Sequence, residues 1–307
     1  MHRTCIRFVS LIAVILLSWA CNNQGGRKGP YDTPTSGTIY ISADESFKPI
    51  IDSEVKVFES SFPDAKLVIS YKPEADCFRD LIKDSTRMII VTRGLSREED
   101  QFYRDSIHYA PLFGQLAYDA VAVIVNNKSK DTIMNMDDLR ALLAGKSRTD
   151  LEPVMDGVKE TSTVRYLIDS VMQGQPLGKQ VVAARSSQGV LNYVAQTPNA
   201  VGFIGVSWIG DQDDTAQIHF LEKVKVVALK CGTCLAETYV KPYPANIALK
   251  RYPMVRGLFY ILKENWSGLG NNFVNFLQYE RGQLIFRRAY LIPSRMNFEI
   301  RDMQISN

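Results

Sequence analysis

Lys159-Glu160-Thr161-Ser162-Thr163-Val164-Arg165-Tyr166-Leu167-Ile168-Asp169-Ser170-Val171-Met172 opens with hydroxyl residues and continues as an apolar stripe. Val164, Leu167, Ile168, Val171 and Met172 fall at the i, i+3, i+4, i+7, i+8 spacing of an amphipathic helix. Thr161, Ser162 and Thr163 stand where that helix starts. A helix start leaves backbone N–H groups without intrahelical partners and carries the positive end of the dipole. Hydroxyls added there can hold an anion without a metal, although one such hydroxyl is equally well an N-cap.

The pattern recurs on both sides of this stretch. Thr38–Ser42 reads as a strand, followed by a turn and a helix carrying Phe47, Ile50, Ile51 and Phe58, so Ser46 marks a second hydroxyl-bearing start. Pro49 sits in the first turn of that helix, where its missing N–H costs nothing. Ser186-Ser187-Gln188-Gly189 precedes a third helix with Val190, Leu191 and Val194. Strands are read at Lys66–Tyr71, Met88–Val91, Leu116–Val125, Ala200–Val206 and Val224–Leu229, with helices between them. Pro73 to Asp76 leads into a short helix with Phe78, Leu81 and Ile82; Ser96 to Glu99 has the capping-box pattern; Asn135 caps a helix that Gly145 stops. Alternation of this kind predicts an α/β protein with mostly parallel sheets. In such sheets ligands bind beyond the carboxyl ends of the strands. Three hydroxyl-rich starts fit one anion held between two lobes.

Composition narrows the class. The 307 residues suffice for about two domains. Of the formal net charge of +3, Arg3 and Arg7 carry two units, so the remainder is close to neutral. No concentrated basic excess marks a nucleic-acid partner. Arg3 and Arg7 are followed by an apolar run, Phe8 to Trp19, too short to cross a bilayer comfortably and ending at Ala20-Cys21. This segment resembles the signal and lipobox of bacterial lipoproteins, which implies a signal peptide over residues 1–20 and lipidation of Cys21. Residues 21–37 are polar and rich in Gly and Pro, the composition of a flexible tether, with the folded part expected from near Thr38.

Other chemistries find little support. Cys231 and Cys234 form the sole C-x-x-C; without further ligands a zinc site is not indicated, leaving a local disulfide or two buried thiols. Cys77 is read as a buried small hydrophobe. His2, His108 and His219 do not form a catalytic constellation, and there is no G-x-S-x-G, Walker A or G-x-G-x-x-G motif. The expectation is a protein that is not an enzyme and uses no cofactor or metal.

Several short motifs together resemble the phosphate-binding protein of the bacterial phosphate ABC transporter, a type II periplasmic binding protein. They are Ser46-Phe47, Thr92-Arg93-Gly94-Leu95-Ser96, Tyr118 to Asn126, Leu139 to Gly145, Asn199-Ala200-Val201-Gly202-Phe203, Tyr252-Pro253-Met254 with Arg256, and Gly282-Gln283 to Pro293. The family's Ser-Gly-Thr signature stands here as Ser162-Thr163, without Gly. The resemblance covers about residues 38–300. It implies a two-lobed fold, each lobe a mostly parallel sheet flanked by helices, with residues 38–115 and 246–307 in one lobe and 118–242 in the other. It further implies a monomeric, lipid-anchored receptor on the periplasmic side of a membrane, binding inorganic phosphate or a similar oxyanion and delivering it to an ABC permease; the alternative is a lipoprotein of the same fold that binds another oxyanion or acts as a sensor or scaffold without transport. Ser46, Phe47, Thr92, Arg93, Ser162 and Thr163 are then ligand-binding candidates, with Arg93 supplying a permanently charged planar fork. Glu74 is either a carboxylate that accepts the proton of HPO4²⁻ or a surface residue. Arg165 is expected to pair with Asp169 at i+4.

Overall fold

The computed structural model describes residues 32–107, 110–157 and 161–295. Cys21, the signal segment and His108 lie outside the described residues. Among the described residues there are thirteen strands: β1 (Gly37–Asp44), β2 (Ala65–Lys72), β3 (Thr86–Val91), β4 (Leu112–Asn126), β5 (Ile133–Met134), β6 (Glu152–Met155), β7 (Val182–Ala183), β8 (Ala200–Gly205), β9 (Val224–Val226), β10 (Ala228–Lys230), β11 (Tyr239–Val240), β12 (Val255–Leu262) and β13 (Ile292–Pro293). The main sheet runs β2-β1-β3-β12-β4-β8-β6-β7, with β13 and β9 also on β4.

β4 organises the sheet. Residues Leu112–Ala120 pair antiparallel with β12, and Val121–Val125 pair antiparallel with β8. Ala120 to Val125 are all fully buried, so this half of the strand is covered on both faces and its apolar run needs no alternation. Outward from β4 the pairings turn parallel: β1 with β2 and β3 on one side, β6 with β7 and β8 on the other. β12 returns the late chain into the first group, between β3 and β4. Residues distant in sequence are thereby brought into one layer.

Local chemistry places the helices. The helix Lys48–Ser61 has Pro49 in its first turn and buries Ile50, Ile51 and Phe58. Phe58 meets Phe273 and Phe276 edge-on at 5.1 and 5.4 Å, tying it to the helix Leu269–Gln278. Fully burying an aromatic or branched aliphatic side chain contributes about 1.5–3 kcal/mol. Gly202 in β8 accounts for the glycine of the Asn199–Phe203 motif: a Cβ there would lie 2.7 Å from Val190 and 2.8 Å from Val194, on the helix Ser187–Gln196 packed across the strand.

The ordered fold starts earlier than the composition of residues 21–37 suggests. Asp32 is buried; its carboxylate accepts the Leu269 N–H at 2.9 Å and lies 3.3 Å from Arg87. Arg87 also reaches Glu264 at 3.1 Å, and Glu264 accepts the Gly270 N–H. Two carboxylates at the start of the helix Leu269–Gln278 favour its dipole and fix the point where the chain enters the fold. Cys231 and Cys234 are joined in a disulfide, while Cys77 is free and buried.

Candidate functional site

The turn after β1, the start of the helix Ser162–Tyr166 and the first half of β12 meet at one buried cluster. Ser46 lies in the turn Glu45–Phe47, and Ser162 and Thr163 open the helix; all three are 0% exposed. Ser46 Oγ and Ser162 Oγ are 3.2 Å apart, although 116 residues separate them in sequence. The Arg256 guanidinium links them: Nη2 donates to Ser46 Oγ at 3.0 Å, and Nη1 donates to Ser162 Oγ at 3.0 Å and to Thr163 Oγ1 at 3.5 Å. Its Nε donates to Asp119 Oδ2 at 2.8 Å. The guanidinium carbon also lies 5.0 Å from the centre of the Phe47 ring, a cation–π distance.

Backbone approach makes the cluster possible. Gly205, which ends β8, would with a Cβ place that atom 3.0 Å from the Ser46 carbonyl oxygen and 3.2 Å from Arg256 Nη2. Trp208 Nε1 donates to the same Ser46 carbonyl at 2.9 Å. Burial works against the charge on Arg256, but the carboxylates of Asp119 and Asp44 outweigh it and hold its pKa above the usual value. The result is a permanent cation beneath three hydroxyls, an arrangement suited to an oxyanion.

Two further carboxylates flank the hydroxyls. Asp44 Oδ1 accepts the Ser46 N–H at 2.8 Å and the Ser46 hydroxyl. Asp156 Oδ1 accepts the Thr161 hydroxyl at 2.8 Å, while Thr161 Oγ1 caps the helix by accepting the Val164 N–H at 3.2 Å. Burial and then the nearby Glu74 charge push the Asp44 carboxyl up to about 6, against the pull of Arg256. Burial also pushes Asp156 up to about 6 despite its hydrogen bond from Thr161.

A second set of contacts joins the same parts of the chain nearby. Glu74 Oε1 accepts the Thr92 N–H at 2.8 Å and the Thr92 hydroxyl, and Glu74 Oε2 accepts from Arg165 Nε at 2.6 Å. Arg165 also donates to Thr92 Oγ1 at 2.6 Å. Burial raises the Glu74 carboxyl, but Arg165 and Thr92 outweigh it and hold the group below the usual carboxylate range. Glu74 is 3% exposed, so it is not a surface residue. Arg165 pairs with Asp169 at 3.5 Å as expected, but its shorter bonds go to Glu74 and Thr92. At the third hydroxyl-rich start Ser187 pairs with Glu45, which accepts its hydroxyl at 2.8 Å and its N–H at 3.1 Å, while Ser186 Oγ accepts the Gly189 N–H as the helix cap.

Arg93 is placed differently from its sequence expectation. Its guanidinium forms a two-point ion pair with Glu99 at 2.7 and 2.8 Å, donates to the Gly94 carbonyl and lies 3.9 Å from the Phe78 ring centre. Glu99 is held in turn by the Ser96 capping box. The capping pattern was legible, but the pairing it creates removes Arg93 from the hydroxyl cluster. Arg256, Asp44, Asp119 and Asp156 were not singled out as site residues. The available signal was a lone charge in an apolar strand, at Asp119 in Leu116–Val125 and at Arg256 in Val255–Leu262.

The chain belongs to the PBP superfamily, whose domain matches residues 29–281. Its α/β architecture is the type II periplasmic-binding-protein fold. Over 290 residues it is 22% identical to the phosphate-binding protein PstS of Bacillus subtilis strain 168, covering 88% of this chain and 87% of that protein. A substrate-binding protein from Clostridium perfringens solved with bound phosphate superposes with a TM-score of 0.68 at 20% identity, covering 84% of this chain and all of the other. An ABC-type phosphate transport receptor from Vibrio cholerae gives a TM-score of 0.59 at 17% identity, covering 83% of this chain and 99% of its own. No helix among the described residues is long and apolar enough to cross a membrane.

Proposed function

We propose that this protein is an extracytoplasmic receptor that captures inorganic phosphate for an ABC importer. The observation that carries the reading is the convergence of Ser46, Ser162 and Thr163 on the buried Arg256 guanidinium. Three hydroxyls and a permanent cation supply donors for a tetrahedral oxyanion, and hydrogen bonds to a charged group are worth about 1.5–3 kcal/mol each. Arg256 takes the role that the sequence assigned to Arg93. Glu74, Thr92 and Arg165 form a clasp beside the anion, and the protein binds rather than transforms its ligand. The names of the B. subtilis and V. cholerae relatives support phosphate as the ligand and an ABC system as the partner. The buried carboxylate at Asp156 favours phosphate over sulfate, since near neutral pH only phosphate carries a proton to share with it. Calorimetric titration with phosphate, sulfate and molybdate tests this: phosphate should bind most tightly, and tighter sulfate binding would refute it.

Two further features belong to this reading. The hydroxyls are fully buried, so a ligand enters only if the parts of the chain around them separate. β4 is shared by both groups of strands, and the two lobes, residues 38–115 with 246–307 and residues 118–242, would turn about it. Small-angle scattering should then show a more compact protein with phosphate than without; identical dimensions would count against the hinge. The charged start, short apolar run and Ala20-Cys21 support cleavage and lipidation at Cys21, holding the monomeric receptor at the periplasmic face of a membrane. Mass spectrometry of the native protein should find a lipid-modified Cys21 at the N-terminus, and an unmodified terminus further along would rule this out.

A further inference from the structure

One atom of the cluster has no role in the contacts described so far. Asp44 is 2% exposed, and its Oδ2 is a buried oxygen with no hydrogen-bond partner, while Oδ1 takes both the N–H and the hydroxyl of Ser46. A buried acceptor left unpaired costs about 1–3 kcal/mol, more when charged. The hydroxyl protons around it can be assigned by elimination. A guanidinium only donates and an ionised carboxylate only accepts, whereas a hydroxyl has one proton to give. Ser46 Oγ accepts from Arg256 Nη2 and gives its proton to Asp44. Ser162 Oγ accepts from Arg256 Nη1, which leaves its proton for Ser46 Oγ 3.2 Å away. With Asp44 ionised, the relay runs from Ser162 through Ser46 to Asp44, and Ser46 has no proton left for an anion.

We propose that Asp44 is a proton switch for this site: anion capture takes up a proton at Asp44, which reverses the relay so that Asp44 donates to Ser46 and Ser46 donates to the anion. The inference rests on the phosphate reading above and adds a regulation of the same site. In the neutral acid the unpaired Oδ2 no longer carries carboxylate charge, and a negative charge is removed from beside the ligand. On balance the surroundings favour the proton, against the pull of Arg256 and of the Ser46 hydrogen bond. Facing Asp44 are the carboxylates of Glu74 on the helix Glu74–Leu81 and of Asp156 after β6, with Arg256 on β12 as the opposing cation. Arg256 is itself paired to Asp119 at 2.8 Å, and Glu74 to Arg165, so neither charge answers Asp44 alone. An arriving anion adds a further negative charge and raises the proton affinity of Asp44. Burial already pushes that carboxyl up to about 6.

The test is calorimetry with inorganic phosphate at several pH values between about 5.5 and 8, in buffers of different ionisation heat, on the whole protein and on Asp44→Asn. Asparagine can donate to Ser46 as the protonated acid does. Free phosphate changes its own protonation in this range, but equally for both proteins, so the difference between them reports Asp44. The wild type should take up about one proton more than the variant at the upper end of the range, and above pH 6 its affinity should fall about tenfold more steeply per pH unit. Parallel profiles with equal proton uptake would overturn the switch while leaving phosphate binding intact. Failure of the wild type to bind phosphate at any pH would overturn the functional reading and the switch with it. Infrared difference spectroscopy of the wild type needs no variant: a carboxylic-acid C=O band should grow on phosphate addition, and its absence at pH 7.5 would refute the proposal.

Discussion

Replacing Arg256 by Met removes one side chain that serves both the fold and the site. The guanidinium is buried, 2.8 Å from Asp119 Oδ2 and 3.0 Å from both Ser46 Oγ and Ser162 Oγ. Deleting it leaves the Asp119 carboxylate, 0% exposed, without its cation. Breaking a buried ion pair from one side costs about 3–5 kcal/mol. At about 2 °C per kcal/mol for a chain of this size, Tm should fall by roughly 6–10 °C. Phosphate binding should weaken by more than about tenfold, since losing even one charge-assisted hydrogen bond of about 1.5 kcal/mol reaches that factor. The two effects separate in the double variant Arg256→Met with Asp119→Asn. Removing the orphaned charge should recover most of the lost stability, because an ion pair and a neutral replacement of both partners differ little. It cannot restore the cation beneath the hydroxyls, so phosphate affinity should stay low. Thermal melts and calorimetric titration of the two single variants and the double variant complete the cycle. If the double variant binds phosphate as well as the wild type, Arg256 serves only the fold and the assignment of the anion site fails.

Arg93→Ala should change phosphate affinity by less than about threefold, under 0.7 kcal/mol, because Arg93 is committed to Glu99 and Phe78; a tenfold loss in titration would return it to the site. Asp44→Asn should raise the Tm of the ligand-free protein at pH 7.5 and lose that advantage at pH 4. A carboxyl raised from 3.8 to about 6 on folding contributes stability only at low pH, and that stability is lost as pH rises through about 6. An equal gap at both pH values would contradict the burial of Asp44 as a titrating group. Glu74 shifts the opposite way, so its contribution is present above the ordinary carboxylate range and lost as pH falls through its lowered pKa. Glu74→Gln should therefore cost more stability at pH 7 than in acid below the lowered pKa, by thermal melts, while the ratio of phosphate to sulfate affinity stays unchanged.

Much of the fold was legible because local chemistry and global packing agree. Pro49 at a helix start, the Asn135 cap and the buried run through Val121–Val125 each have one favourable solution, and the structure adopts it. The hydroxyls Ser46, Ser162 and Thr163 were legible for the same reason, since Ser and Thr at helix starts are a local signal. Their partner was not. Arg256 reaches Ser46 across 210 residues, and only the insertion of β12 between β3 and β4 brings it there. Arg93 drew attention through its motif, but the capping box three residues on supplies Glu99 as a nearer partner. Arg165 was read from its own helix as a mate for Asp169, whereas β3 and the helix Glu74–Leu81 bring Thr92 and Glu74 to it. In each case the residue type was visible and the partner was set by topology. Asp119 and Arg256 carried a usable warning: a single charge in an otherwise apolar strand must find an opposite charge, and the two stand directly opposite in the β4–β12 register.

The most direct test of the account is a crystal structure grown with arsenate, the heavier analogue of phosphate, whose anomalous scattering locates the ion without ambiguity. The account predicts one strong peak within hydrogen-bonding distance of Ser46 Oγ, Ser162 Oγ and Thr163 Oγ1, with Arg256 beneath it and the Ser46–Ser162 contact opened from 3.2 Å to admit the ion. A peak beside Arg93 and Glu99 instead, or saturated crystals with no peak at the hydroxyl cluster, would contradict it.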